Sequence, residues 1–127
     1  MAALTKGQKD TIIASRVIAA GAFATPLVDV PANVTRIDIE MDRSTWPDTG
    51  ADVIECDIRE SLDGTVDNSV VLFSFRARGG VFVDASKPGL VGTVVRAAGF
   101  NVRPGSQIFA LGRAYVALTT DLKITAR

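Results

Sequence analysis

"RIDIEMDRSTWPDTGADVIECDIRESLDG" (residues 36–64) holds two segments in which apolar and charged residues alternate. In the first, Ile37, Ile39 and Met41 alternate with Asp38, Glu40 and Asp42. In the second, Ile54, Cys56 and Ile58 alternate with Glu55, Asp57 and Arg59. Successive side chains of a strand point to opposite faces, so each segment is predicted to be a strand with one apolar and one charged face. Between them "STWPDTG" (44–50) supplies Pro47, Asp48 and Gly50, which are turn residues. A sheet of such strands has to cover its apolar face with another layer.

The neighbouring segments extend the pattern. "SLDGTVDN" (61–68) contains an Asp-Gly pair, a strong short-range hairpin signal. The return strand is "SVVLFSFRAR" (69–78), with Val71, Phe73, Phe75 and Ala77 as its core face and Ser74, Arg76 and Arg78 opposite. A hairpin closing near Asp63-Gly64 brings Arg76 and Arg78 alongside Glu55 and its neighbours. "GGVFVDASKPGLVGT" (79–93) reads as a long loop with a short strand at 81–84, and "VVRAAGFNV" (94–102) as a strand with a glycine bend. Pro104-Gly105 makes the next turn. "QIFALGRAYVALTTDLKITAR" (107–127) closes the sequence, with a bend near Thr119-Thr120 able to split it into two strands.

On the N-terminal side, "TIIASRVIAA" (11–20) reads as a strand, with a short helix competing. "FATPLVDVP" (23–31), broken by Pro26 and Pro31, reads as an edge strand or an extended connection. Residues 1–10 are small and polar and are expected to form a flexible or extended arm ahead of a domain spanning 11–127. Seven or eight short strands, turns between them and no clear helix predict an all-β fold. The economical form is a two-sheet antiparallel β-sandwich or jelly roll.

Composition fits that expectation and narrows function. The chain has 127 residues, one ordinary domain by size, and a 47% hydrophobic content with only 6% aromatics, so the core is mostly aliphatic. The formal net charge is zero, so no nucleic acid or acidic membrane partner is expected. Charge is nevertheless uneven. Residues 38–67 carry ten acidic and two basic side chains, and residues 68–127 carry two acidic and eight basic ones. Internal pairing of acidic and basic strands accounts for this. Two faces of opposite sign, suited to assembly with copies of itself or a partner, are the second reading. The single cysteine, Cys56, allows no internal disulfide and sits in the inward phase of its strand, as a structural thiol would. The start "MAALTKGQKD" does not read as a signal peptide. No apolar run approaches the length of a membrane span. The protein is expected to be made and kept in a cytoplasm or assembled there into something larger.

Reactive chemistry finds little footing. The sequence has no histidine, which removes Ser-His-Asp and Cys-His catalysis and the common zinc sites. Asp38, Glu40 and Asp42 line one strand face, roughly 7 Å apart along it, where a glycosidase needs two carboxyls facing each other across a cleft. "DTGAD" (48–52) and "DGTVD" (63–67) each offer two aspartates but do not match the twelve-residue calcium loop. Phosphate-binding glycine motifs are missing. No cofactor or metal is therefore expected, and no catalytic residue is assigned. Trp46, before Pro47 and Asp48 in a predicted loop, can cap one end of the sandwich core or meet a partner.

The order of these motifs carries a resemblance. "IDIEMDRSTWPDTG", "DVIECDIRESLDG", "RARGG" and "YVALTTDLKITAR" together are similar to small β-sandwich structural proteins encoded in tailed-phage virion gene clusters. That resemblance covers roughly residues 10–127. The chain departs from it in having "SLDGT" where those proteins have a double glycine, and in lacking a clear Gly-Thr hairpin in its last strand. The resemblance implies a non-enzymatic virion protein. Its first form is a capsid decoration or cement protein that binds the major capsid protein and copies of itself as a dimer or trimer. A tail or baseplate protein is the alternative, as is a carbohydrate-binding module whose glycan would stack on Trp46 or Tyr115. Candidate partner contacts are Trp46, Pro47 and Asp48 in the loop, with Lys6 and Lys9 in the arm, which could order on a neighbouring subunit.

Overall fold

The computed structural model describes residues 3–18, 20–42, 52–78, 81–85 and 94–127. Among them there are ten strands and no helix: β1 (Lys9–Ile18), β2 (Gly21–Ala24), β3 (Val28–Asp29), β4 (Arg36–Asp42), β5 (Asp52–Ser61), β6 (Ser69–Arg78), β7 (Val81–Ala85), β8 (Val94–Asn101), β9 (Gln107–Ala114) and β10 (Leu118–Ala126). They form two antiparallel sheets. The first has the order β1-β10-β4-β8. The second runs β2-β9-β5-β6-β7, with β3 also paired to β9. The chain thus behaves as one long double strand. β1 pairs with β10, β2 and β3 with β9, β4 with β8, and β5 with β6. Winding that double strand alternately through two layers is the jelly roll.

The core lies between the layers. Ile37, Ile39, Phe100 and Ile124 come from the first sheet, and Ile54, Cys56, Ile58, Phe73, Phe75 and Ile108 from the second. Phe73 and Phe100 meet across the layers with ring centroids 5.6 Å apart. Ile37 and Ile39 of β4 and Ile54, Cys56 and Ile58 of β5 therefore point inward, as the period of two requires.

β6 departs from the simple alternation. Val71, expected in the core, is 47% exposed. Ile58 pairs with Phe73 while Arg59 pairs with Val71, so Leu72 is an extra residue on β6. That bulge reverses the phase and turns Val71 outward with Arg59. Asp63-Gly64 does not form a two-residue turn either. The strands separate at Ser61 and Ser69, and the connection is closed by Leu62 N–H donating to the Asn68 carbonyl at 2.8 Å. The division of residues 107–127 falls at 115–117 instead of Thr119-Thr120. No glycine or proline marks it, because the break is where the chain crosses from the second sheet to the first.

Residues 3–8, part of the expected arm, are laid against the sandwich. Leu4 is buried in the core, and its N–H donates to the Asp29 carbonyl at 2.9 Å. Gly7 N–H donates to the Ala126 carbonyl at 2.8 Å, so β1 starts at Lys9 already aligned on β10.

Two glycines are needed for what they permit. Arg103-Pro104-Gly105-Ser106 is a turn with Ser106 N–H donating to the Arg103 carbonyl and Gly105 at φ +82°, a type II geometry that favours glycine at that position. Gly112 of β9 lies opposite Cys56, and a Cβ there would run into the Glu55 carbonyl oxygen and lie 2.9 Å from Cys56 Cα. Both obstacles are backbone and cannot rotate away. Gly112→Ala is expected to lower unfolding free energy by about 3 kcal/mol or more, measured by urea denaturation, whereas Ala22→Gly, at an exposed position on β2, should cost about 1 kcal/mol or less.

Candidate functional site

The chain's polar chemistry converges where β5 ends, β6 begins and β8 hands over to β9. Continuing the alternation of β5 past Ile58 puts Glu60 on the core side, and it is 5% exposed. Its Oε2 accepts from Arg103 N–H at 2.7 Å and from Ser106 Oγ at 2.7 Å. A buried carboxylate thus holds both ends of the Pro104-Gly105 turn. Sequence reasoning passed over Glu60, although its parity with Ile54 and Ile58 was the signal that marks it.

The hairpin tip (62–68) beside this turn is tied internally. Asp63 Oδ1 accepts from Thr65 N–H at 3.0 Å and from Thr65 Oγ at 2.6 Å. The Thr65 hydroxyl, the Asn68 side chain and the Thr65 N–H together hold the Asp63 carboxyl below its ordinary range, against slight desolvation. Ser61 Oγ donates to the Thr65 carbonyl at 2.6 Å, and Ser69 Oγ donates to the Val66 carbonyl at 2.9 Å. Arg103 Nη2 reaches the Leu62 carbonyl at 3.0 Å. The same hairpin also exposes Leu62, Val66, Val70 and Val71. An open cleft of about 520 Å³ separates it from the turn, lined by Asp63, Gly64, Arg103 and Gln107 among others.

The acidic strand faces are used structurally. Asp38 Oδ1 accepts from Gly99 N–H at 3.0 Å, and its Oδ2 takes Arg127 Nε at 2.6 Å. Desolvation pushes the Asp38 carboxyl up, but the Arg127 hydrogen bond, the Gly99 amide and the charges of Arg127 and Arg36 outweigh it, leaving the net shift downward. Glu40 pairs with Lys9 at 3.2 Å. Asp57 accepts from Ser74 Oγ at 2.7 Å and from Arg59 Nη1 at 3.2 Å. Glu55 lies opposite Arg76 on one side and Arg113 on the other, and Asp52 lies opposite Arg78, so the acidic strand has basic neighbours in register. The Arg76 Nε is buried with no hydrogen-bond partner among the described residues. Burial, reinforced by the Asp57 charge, raises the Cys56 thiol well above its ordinary pKa, as befits a structural cysteine.

The candidate contact residues divide by position. Lys6 is exposed in the turn before β1, and Lys9 opposes Thr125, both at the hairpin end of the sandwich. Trp46, Pro47 and Asp48 lie outside the described residues. The strands they connect meet them at Asp42 and Asp52, the ends remote from Arg36 and Ser61. Among the described residues no group of three or more His, Cys, Asp or Glu side chains is placed to hold a metal ion. No protein-family model matches the chain, and no curated protein is significantly similar to it.

Two outcomes test these assignments. Glu60→Ala removes the acceptor of the Arg103 amide and of the buried Ser106 hydroxyl and should cost about 2–3 kcal/mol in urea denaturation, while Asp67→Ala at the exposed tip should stay within about 0.5 kcal/mol. Because the folded-state pKa of Asp38 is depressed, its contribution to stability is complete above its unfolded value of 3.8 and is lost as pH falls through the lower folded value. Asp38→Asn should therefore flatten the acid limb of the stability profile below about pH 4, read by thermal denaturation across pH 2–6.

Proposed function

We propose that this chain is a non-enzymatic structural protein of a tailed-phage virion, a decoration or cement protein that binds the assembled head and stabilises it. The observation that carries this reading is how the polar groups are employed. Asp38, Asp57 and Glu60 each hold a neighbouring element of the fold and Asp63 ties its own loop, while that hairpin presents aliphatic side chains outward. Such a distribution suits a protein that contributes contact area. The jelly roll agrees with it, since viral capsid domains use that architecture, although lectins and cupins use it too and fold alone does not assign function. The similarity of the acidic-strand, Trp-loop and hairpin motifs to virion proteins supplies the remainder.

In this reading the partners are the major capsid protein and further copies of the chain. The contacts include the Trp46-Pro47-Asp48 segment and the Lys6 and Lys9 ammonium groups. The protein is made in the host cytoplasm and ends on the capsid surface, clamping neighbouring capsomers. Cosedimentation of purified protein with undecorated heads of the phage that encodes it should give saturable binding and a higher temperature of head disruption. Heads that neither bind the protein nor gain stability overturn the proposal. Particles labelled at the tail instead would move the assignment to a tail or baseplate component.

A further inference from the structure

We infer that the hairpin end of the sandwich is where two copies of this chain meet, through the β5–β6 connection packed about a two-fold axis. This deepens the reading above, in which the chain assembles with itself. Four branched aliphatic side chains, Leu62, Val66, Val70 and Val71, are each 39–47% exposed within ten residues of sequence. The Leu72 bulge turns one of them outward, and the hydrogen bonds of Asp63, Thr65, Ser61 and Ser69 lock the loop that carries two others. A surface ordered before binding loses little conformational entropy on association.

Charge indicates the occupant. Residues 60–75 contain three acids and no base, and two of those acids, Asp63 and Asp67, are exposed around the aliphatic side chains. The exposed bases Lys6, Arg36 and Arg103 lie at the same end, with the Arg103 guanidinium 3.0 Å from the Leu62 carbonyl. Through Arg103, acid and base are adjacent on one patch. An isologous interface uses one patch twice, so it sets aliphatic against aliphatic and the Asp63 and Asp67 carboxylates of one copy toward the bases of the other. Zero net charge leaves no overall repulsion between copies.

Light scattering at increasing concentration and low salt should show a dimer whose dissociation constant rises with ionic strength. Val70→Asp combined with Val71→Asp should weaken it at least about thirtyfold with an unchanged circular dichroism spectrum. A wild-type monomer at about 100 µM, where even a weak specific dimer would be populated, overturns the inference, and so does a dimer indifferent to the double substitution. A second measurement stands even if that variant fails to fold. Val66→Cys should form a covalent dimer on mild oxidation, while Tyr115→Cys, exposed in the β9–β10 turn at the opposite end, should not. Equal cross-linking at both positions, or none at residue 66, overturns it. A wild-type monomer that still binds heads defeats the interface and leaves the decoration reading intact. A dimer that binds no heads does the reverse.

Discussion

β5 is flanked on both sides, and its two neighbours impose different conditions on it. Against β9 the register runs without a shift from Ile54–Ala114 to Ser61–Gln107. Against β6 it slips twice, once near Val53 and once at Leu72. The uninterrupted side fixes which side chains of β5 face the other layer, because a slip of one residue would carry Ile54, Cys56 and Ile58 to solvent. That continuity depends on Gly112, the residue opposite Cys56, where the two backbones leave no room for a side chain. The contact between layers then follows, with Phe73 on the neighbouring strand reaching Phe100 of the first sheet.

Charge plays a secondary part. The acidic strands are balanced by neighbours from distant parts of the sequence: Lys9 for Glu40, Arg127 for Asp38, and Arg76 and Arg113 opposite Glu55. Partly exposed pairs of this kind contribute little stability each. Their effect is on choice, since like charges set side by side disfavour a wrong register. Glu60 differs because it is buried, and its carboxylate supplies acceptors that the backbone of the β8–β9 turn would otherwise lack.

Much of the fold was legible in the sequence wherever the period of two was clean. The faces of β4 and β5, the Pro104-Gly105 turn, the short strand after Gly79-Gly80 and the bend at Gly99 all follow from local residue types. Long-range causes hid the rest. Nothing in "SVVLFSFRAR" announces a bulge, since Val71 and Leu72 suit either phase. The break at residues 115–117 consists of strand-forming residues and exists only because two sheets are being joined. Leu4 looked like part of a polar arm because the backbone partners that hold this segment, Asp29 for Leu4 and Ala126 for Gly7, are not near in sequence. For the candidate site, the Asp63 loop was visible as a turn signal, but the cluster around it required β5, β6, β8 and β9 to be assembled first.

The extra residue in β6 has an evolutionary side. Up to Leu72 the strand is written in the same aliphatic vocabulary as the core, and only its phase separates a buried position from a displayed one. A single-codon insertion in such a strand can move a core-type side chain to the surface while the rest of the strand keeps its place. An apolar surface can thus be enlarged without recruiting a new loop, and losing one codon would turn that side chain back toward the core. Close homologues that differ by one residue in this strand would then share a fold and differ in what they adhere to.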